Sequence, residues 1–269
     1  MMSRTFPVRT QIVGILNITP DSFSDGGEYF TPERALQHAQ ELIAEGADIL
    51  DIGGESSRPG SEPVSEEEEL HRVIPVIEKL AREIETPISI DTYKPRVAAE
   101  ALAAGAAIVN DITGLRDADM RRVAAEKAAP VILMHMQGEP KTMQANPHYD
   151  DVVLDIKKFF TERIALAQKD GVTEIILDPG IGFGKTLEHN LTILKRLNEF
   201  LDLGYPLLVG PSRKSFIGTL TNNAPAGERL PGTIAAVVAA RLAGATYVRV
   251  HDVAECRKAL QIADAIANI

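Results

Sequence analysis

A short apolar run that stops at a polar residue, followed by a stretch with helical spacing, recurs eight times along this chain. No other feature limits the fold as much. Strands buried on both faces read as short apolar runs, and a strand-then-helix repeat joins parallel strands through right-handed crossovers. The runs are Ile12–Leu16, Asp48–Ile52, Ile88–Ile90, Ala107–Val109, Pro130–Met134, Glu174–Leu177, Leu207–Val209 and Tyr247–Val250. Helical stretches follow over Glu33–Glu45, Glu66–Glu85, Lys94–Ala104, Ala118–Lys127, Val152–Lys169, Leu187–Phe200, Thr233–Leu242 and Ala254–Ala267. Several carry their own punctuation: Thr31-Pro32 opens the first, the run Glu66 to Glu69 suits a helix N-terminus, and Gly46 and Gly105 close two others.

Eight such units in 269 residues fit the α/β class, as a (β/α)8 TIM barrel, better than an open doubly wound sheet, which has fewer units and one switch-point crevice. No Pro/Ser-rich linker or low-complexity segment divides the chain, so residues 1–269 are expected to form one domain. In a barrel every strand's carboxyl end opens at one mouth. Asn17, Arg58, Asp91, Asn110, His135, Asp178, Lys214, Arg249 and His251 would then surround a common cavity.

The first of these junctions, Gln11 to Gly27, passes from a buried strand to a loop dense in Pro, Asp, Ser and Gly, and Asn17 there either caps the turn or points into a cavity. Asp91, Asn110 and Asp178 form a more specific set. Two carboxylates and an amide in a partly dry mouth match a heterocycle with adjacent N–H donors and a carbonyl, as a guanine-like or pterin ring has. Capping is the alternative for each alone. The segment Asp178 to Thr186, DPGIGFGKT, resembles a phosphate-binding loop only superficially, because position 179 is proline and Gly180 lies one place too late. Its glycines suit a sharp turn beside a ligand, with Phe183 either an aromatic wall or ordinary core. Arg58 in GGESSRPG suits carboxylate or phosphate, or is a solvated surface arginine. Ser212 to Ser215, SRKS, places two adjacent bases where a strand gives way to a helix, a good anion site. Arg249 and His251 add donors at the last strand. His135, between two methionines, is expected to be a satisfied core histidine.

Composition removes other functions. A net charge of −10 argues against a nucleic-acid binder, and no apolar run approaches the roughly 18 residues a membrane span needs. With no basic-then-apolar leader and a single cysteine, Cys256, the expectation is a soluble cytoplasmic protein.

Eight ordered segments, GILNITPDSFSDGG, DIGGESSRPG, ISIDTYKP, IVNDITG, VILMHMQG, IILDPGIGFGK, LLVGPSRKSFIG and VRVHDV, resemble the dihydropteroate synthase family of pterin-binding (β/α)8 barrels along essentially the whole chain. The one small departure is Ser57, where that family often has threonine. The resemblance implies condensation of 6-hydroxymethyl-7,8-dihydropterin diphosphate with p-aminobenzoate, giving 7,8-dihydropteroate and diphosphate in folate synthesis. It implies that Asp91, Asn110, Asp178 and Lys214 hold the pterin, with Ile112 and Met134 lining it. Asn17, Arg249 and His251 match the diphosphate site, with Asn17 on Mg2+. Ser57, Arg58, Pro59, Phe183 and Ser212 match the p-aminobenzoate region, where loops near Asp21 to Gly27 and Glu55 to Ser61 would close. Asp91, Asp178, Lys214 and Arg58 are the implied catalytic groups. Family habit adds a homodimer, and Phe23 and Pro59 fall where sulfonamide and p-aminobenzoate would be distinguished. Two readings keep the pterin pocket and change the chemistry: a methyltetrahydrofolate–corrinoid methyltransferase and a non-catalytic paralogue. The SSRPG and SRKS loops disfavour the first, which has no p-aminobenzoate to hold, and retention of Asn17, Arg58, Lys214 and His251 disfavours the second.

Overall fold

The computed structural model describes residues 9–19, 32–57 and 60–269. Eight parallel strands run β1 (Gln11–Asn17), β2 (Ile49–Gly53), β3 (Ile88–Asp91), β4 (Ile108–Asp111), β5 (Val131–Met134), β6 (Ile175–Asp178), β7 (Leu208–Val209) and β8 (Tyr247–Val250). Their order is β6-β5-β4-β3-β2-β1-β8-β7, and a parallel bridge between Leu177 and Leu207, with Leu177 N–H on the Pro206 carbonyl at 2.9 Å, closes the ring. Helices α1 (Pro32–Ala44), α2 (Glu66–Glu83), α3 (Pro95–Ala104), α4 (Ala118–Glu126), α5 (Val152–Lys169) and α6 (Leu187–Lys195) return after β1 to β6, α7 (Ser215–Leu220) and α8 (Leu230–Leu242) after β7, and α9 (Val253–Ala267) after β8.

Local chemistry sets most helix starts. Ser65 accepts from Glu68 N–H at the head of α2, Asp151 from Val153 and Leu154 N–H at α5, and Thr186 with His189 forms a reciprocal capping box at α6. Two expected helices differ. The stretch Leu187–Phe200 is not one helix: α6 stops at Lys195, and a tighter 3-10 segment, Leu197–Leu203, takes over, as Arg196 turns to bind Glu199 and Asp151. The helix expected from Thr233 begins at Leu230, because Pro231 is pre-organised for a first turn and loses no needed N–H there. The helix expected to open at SRKS is the short α7, which starts at Ser215 and runs only to Leu220.

Alternation along each strand places the site. Residues pointing outward, such as Leu50, Ile90, Val109, Leu133, Leu177 and Val248, pack with the helices in the main core. Val13, Ile49, Ile108, Ile132, Ile176 and Leu208 form a separate buried cluster, with Tyr247 packed on it, which fills the barrel interior. Two residues further along the same strands stand Ile15, Asp51, Asn110, Met134, Asp178, Gly210 and Arg249. The barrel interior therefore changes from an apolar plug to a polar layer in one step of the pleat.

Candidate active site

The polar layer opens into a cavity lined by Ser57, Asp91, Asn110, Ile112, Met134, Asp178, Gly180, Ile181, Phe183, Gly210, Lys214 and Arg249. Nine of these are the residues expected at a ligand: Ser57, Asp91, Asn110, Ile112, Met134, Asp178, Phe183 and Lys214, and Arg249 as a diphosphate group. Gly180, Ile181 and Gly210 complete the lining, the two glycines through backbone. Asn17, Ser212 and His251 stand outside this lining. Arg58, Pro59, Phe23 and the segment Asp21 to Gly27 lie outside the described residues.

Charge is concentrated on the floor. Arg249 donates through Nε to Asp51 Oδ2 at 2.6 Å and through Nη2 to Asp91 Oδ2 at 2.8 Å, so one guanidinium ties β8 to β2 and β3. Asn110 Nδ2 donates to the same Asp51 oxygen at 3.1 Å. Burial pushes the Asp91 carboxyl up to about 7, with Arg249 opposing and Asp51, Glu69 and Asp111 adding to the rise. Burial also raises Asp178, against the Gly180 N–H, which donates to Asp178 Oδ1 at 2.8 Å, and against the nearby Lys214 and Lys185 charges. For Arg249 burial works against the cation, yet Asp51 and Asp91 outweigh it and hold the guanidinium charged.

Lys214 is poised across the mouth. Its Nζ donates to the Ile181 carbonyl at 2.5 Å and lies 4.0 Å from the Phe183 ring centre. Burial brings its pKa down to about 7, opposed by Asp178 and reinforced by Arg249. Phe183 thus serves as a wall of the site. The other base of SRKS does not: Arg213 is held in a left-handed turn, φ 56°, by both oxygens of Asp252, with its N–H on Thr233 Oγ1 at 3.0 Å. It is a tie between β7 and β8 loops, and the expected two-base anion site reduces to Lys214.

The Gly180–Gly184 turn is seated without slack. Each carbonyl in it is taken: Gly180 by Phe183 N–H at 3.1 Å, Ile181 by Lys214, Gly182 by Gln144 Nε2 at 2.5 Å, Phe183 by Lys185 Nζ at 2.9 Å and Gly184 by Tyr149 Oη at 2.8 Å. Gly180 has φ +68°, and a Cβ there would lie 1.9 Å from the His135 carbonyl, so no other residue fits. Lys185 is buried, its Nζ 3.0 Å from His135 Nδ1. Burial, with the Lys185 charge, drives His135 well below its ordinary range, and burial drives Lys185 down likewise. His135 is therefore a core histidine, as expected, but one that anchors the turn under the site.

On the far side, Ser212 Oγ lies 2.9 Å from His251 Nδ1 and accepts the His251 N–H at 3.2 Å. Ser212, expected near p-aminobenzoate, and His251, expected at diphosphate, are one unit. Asn17 reaches the rim beside Asp91: a Cβ at Gly53, which pairs with both in register, would lie 3.7 Å from Asp91 Oδ2 and 3.8 Å from Asn17 Oδ1. The missing side chain leaves a gap between two oxygen donors. Among the described residues no three His, Cys, Asp or Glu side chains gather as a metal cage.

Residues 13–251 match the family model described as pterin binding enzyme. The chain is 51 % identical over 256 residues to the dihydropteroate synthase of Escherichia coli strain K12, an alignment covering 94 % of this chain and 90 % of that one. It belongs to the dihydropteroate synthase family. A Yersinia pestis dihydropteroate synthase solved as a sulfonamide drug complex superposes with a TM-score of 0.93 at 46 % identity, covering 100 % of this chain and 99 % of the other. A dihydropteroate synthase from Clostridium difficile, solved in the presence of pteroic acid, gives 0.91 at 49 % identity, with 99 % of each chain covered. Sequence reasoning missed two groups that organise this family member's site, Asp51 and Lys185. The first is visible as the residue two places after Ile49 in the strand pleat; the partner of the second, His135, is 50 residues away in sequence and leaves no local signal.

Proposed function

We propose that this chain condenses 6-hydroxymethyl-7,8-dihydropterin diphosphate with p-aminobenzoate, releasing diphosphate and 7,8-dihydropteroate, as a transferase of folate synthesis. The observation that carries it is the meeting of Asp91, Asn110, Asp178 and Lys214 around one cavity floored by Arg249. Buried acceptors and a single ammonium match the N–H edge and carbonyl of a pterin ring, with Ile112 and Met134 packing against its plane. Ser57 and Phe183 stand at the p-aminobenzoate side. Arg58 and Pro59, outside the described residues, are proposed to complete that subsite, and Ser212 to support it through His251.

The chemistry asks the protein chiefly for positioning and electrostatics. Breaking the carbon–oxygen bond to diphosphate leaves positive charge on the exocyclic methylene, spread into the dihydropterin ring; Asp91 and Asp178 stabilise that charge in a site with little water. The Lys214 ammonium, held by Ile181 and Asp178, donates to the ring edge. Asn17 and His251 face the leaving diphosphate, while Arg249, with two of its donors already committed to carboxylates, supports it from below. The aromatic amine is neutral at pH 7 and attacks the methylene carbon without a strong base, its proton passing to solvent or diphosphate. Asn17 offers the kind of oxygen ligand that Mg2+ prefers, and with the Asp91 carboxylate beside it would hold the ion over Gly53. When bound, that ion would neutralise charge on the diphosphate.

We further infer a cytoplasmic homodimer. Leu242 of α8 and Ile262 and Ile266 of α9 are exposed apolar groups suited to a symmetric contact, and buried unpaired Cys256 suits a reducing compartment. No helix of the described residues is long and apolar enough to cross a membrane. A diphosphate-release assay with both substrates and Mg2+, and a control without p-aminobenzoate, tests the reaction. Release that needs both substrates, with dihydropteroate identified by mass, is the expected result. Pterin binding without product would sink it and favour a methyl-transfer or non-catalytic role.

A further inference from the structure

Asp51 is wholly buried, lies in the middle of β2 and touches no solvent, yet it contacts two groups of the site on two other strands. Its Oδ2 takes Arg249 Nε at 2.6 Å and Asn110 Nδ2 at 3.1 Å; its Oδ1 has no partner among the described residues. A buried carboxylate with an unmatched oxygen is costly, so a stability role alone explains it poorly. The donors it takes explain it better.

A guanidinium can only donate, so Asp51 Oδ2 is an acceptor, and an acceptor facing the Asn110 amide demands its N–H rather than its oxygen. Asn110 could otherwise turn by half a revolution within the same volume and exchange donor for acceptor. With the nitrogen held down by Asp51, the amide oxygen is left toward the cavity that Asn110 lines. The same carboxylate oxygen keeps Arg249 stretched toward Asp91, which orients the Asp91 carboxylate.

We propose that Asp51 is a specificity-determining positioning residue: by fixing the Asn110 amide with its oxygen toward the cavity, it makes the pocket select rings that carry an exocyclic amino group. The proposal rests on the pterin reading of the cavity and adds to it which residue sets the polarity of one wall. It predicts different behaviour for two substitutions with the same number of side-chain heavy atoms. Asp51→Asn keeps an oxygen where Oδ2 stood and can still accept from both neighbours. Asp51→Leu keeps the branching, though it is bulkier, and removes the acceptor, which frees the Asn110 amide to turn.

The test measures, by calorimetric titration of the full chain, binding of pterin-6-carboxylate and of the same compound lacking the ring amino group. The expected result is a parent preference for the amino compound of roughly tenfold or more, held within about threefold in Asp51→Asn and lost to within about threefold of unity in Asp51→Leu. Circular dichroism and a melting curve establish that each variant is folded; Asp51→Ser, too short to reach Asn110, replaces the leucine variant if that one is not. An unchanged preference in the folded Leu or Ser variant overturns the proposal, and so does a loss in Asp51→Asn as large as in Asp51→Leu. If the parent binds neither compound, the pterin reading itself falls and takes this inference with it, an outcome distinct from binding of both with no dependence on Asp51.

Discussion

The two ends of the barrel use the same pair of residue types to opposite purpose. At the amino-terminal end, Asp48 accepts from Arg257 and from Ile12 N–H at 2.7 Å, and Asp264 accepts from Arg241 at 2.5 Å and from Thr10 Oγ1 and N–H at 2.6 and 3.0 Å. Arg257 also donates to the Thr10 and Gly46 carbonyls at 2.9 and 2.8 Å. Those oxygens and nitrogens have neutral or opposite partners in number, and the bonds run between the first strand, the second and the last two helices, closing the chain on itself. At the carboxyl end, Arg249 stands between two carboxylates, Asp51 keeps an unmatched oxygen, and half-buried Lys214 feels the Asp178 charge without a bond to it. The Asp48 and Asp264 clusters are paired within the protein and stabilise it; around the cavity, Asp178 and Lys214 keep capacity that a ligand can take up.

The sharpest way to break this contrast is to remove the centre of the complete end. Burial opposes the ionised form of Asp264, but Thr10 and Arg241 hold its carboxyl below the ordinary value. Asp264→Ala removes the buried carboxylate to which Arg241 Nε and the Thr10 amide and hydroxyl donate. It is expected to cost about 3–5 kcal/mol, seen as a fall in melting temperature of roughly 10 °C, with KM for either substrate unchanged. A variant that melts normally but binds pterin poorly would show that this end serves the site.

The mouth should respond the other way. In Lys214→Met, turnover is expected to fall roughly 100-fold or more, because a donor to the reacting ring is gone, while the ligand-free protein becomes more stable near pH 7. The sign follows from the lysine's folded pKa, about 7, lying below its ordinary 10.5. Its contribution to stability is present above pH 10.5 and is lost as pH falls through 7, since folding then resists taking up a proton the unfolded chain accepts. The methionine variant lacks that loss. Its advantage over the parent should widen by about 3–4 kcal/mol between pH 10 and pH 7, measured by denaturant titration across that range. A gap that is flat or narrows with falling pH would refute the claim that the mouth stores an unfavourable charge.

The same division explains what could be seen in the sequence. The barrel was legible because each strand is a short apolar run and each helix has its own signals; β7, with only Leu208 and Val209 in the ladder, still stood out through the GPSRKS loop that follows. Asp91, Asn110 and Asp178 were legible because each breaks an apolar run at its carboxyl end. Asp51 was not, because in the run Asp48 to Ile52 it is followed by isoleucine and does not end the strand; only the period of two from Ile49 betrays that it faces inward. The Arg213 and Lys214 pair looked alike in sequence and is divided by tertiary context, one arginine claimed by Asp252, 39 residues away, and one lysine left over the cavity. Lys185 and His135, and the Asp264 cluster that joins residues 254 apart, depend on pairings that no local pattern encodes.

The smallest effect is expected where charges are many and exposed, which sets a baseline for both ends. Arg96 on α3 meets Glu66 at 3.1 Å, Glu67 at 3.0 Å and Glu100 at 3.0 Å, more acidic partners than any arginine at either end of the barrel. Its side chain is 53 % exposed, however, so water and salt already satisfy and screen those charges, and holding four long side chains in one geometry costs entropy. Arg96→Ala should therefore leave the melting curve and both KM values within experimental error at physiological salt. A fall comparable to that of Asp264→Ala would mean that the number of ion pairs, rather than their burial and completeness, sets their worth in this fold, and the contrast between the two ends would lose its basis.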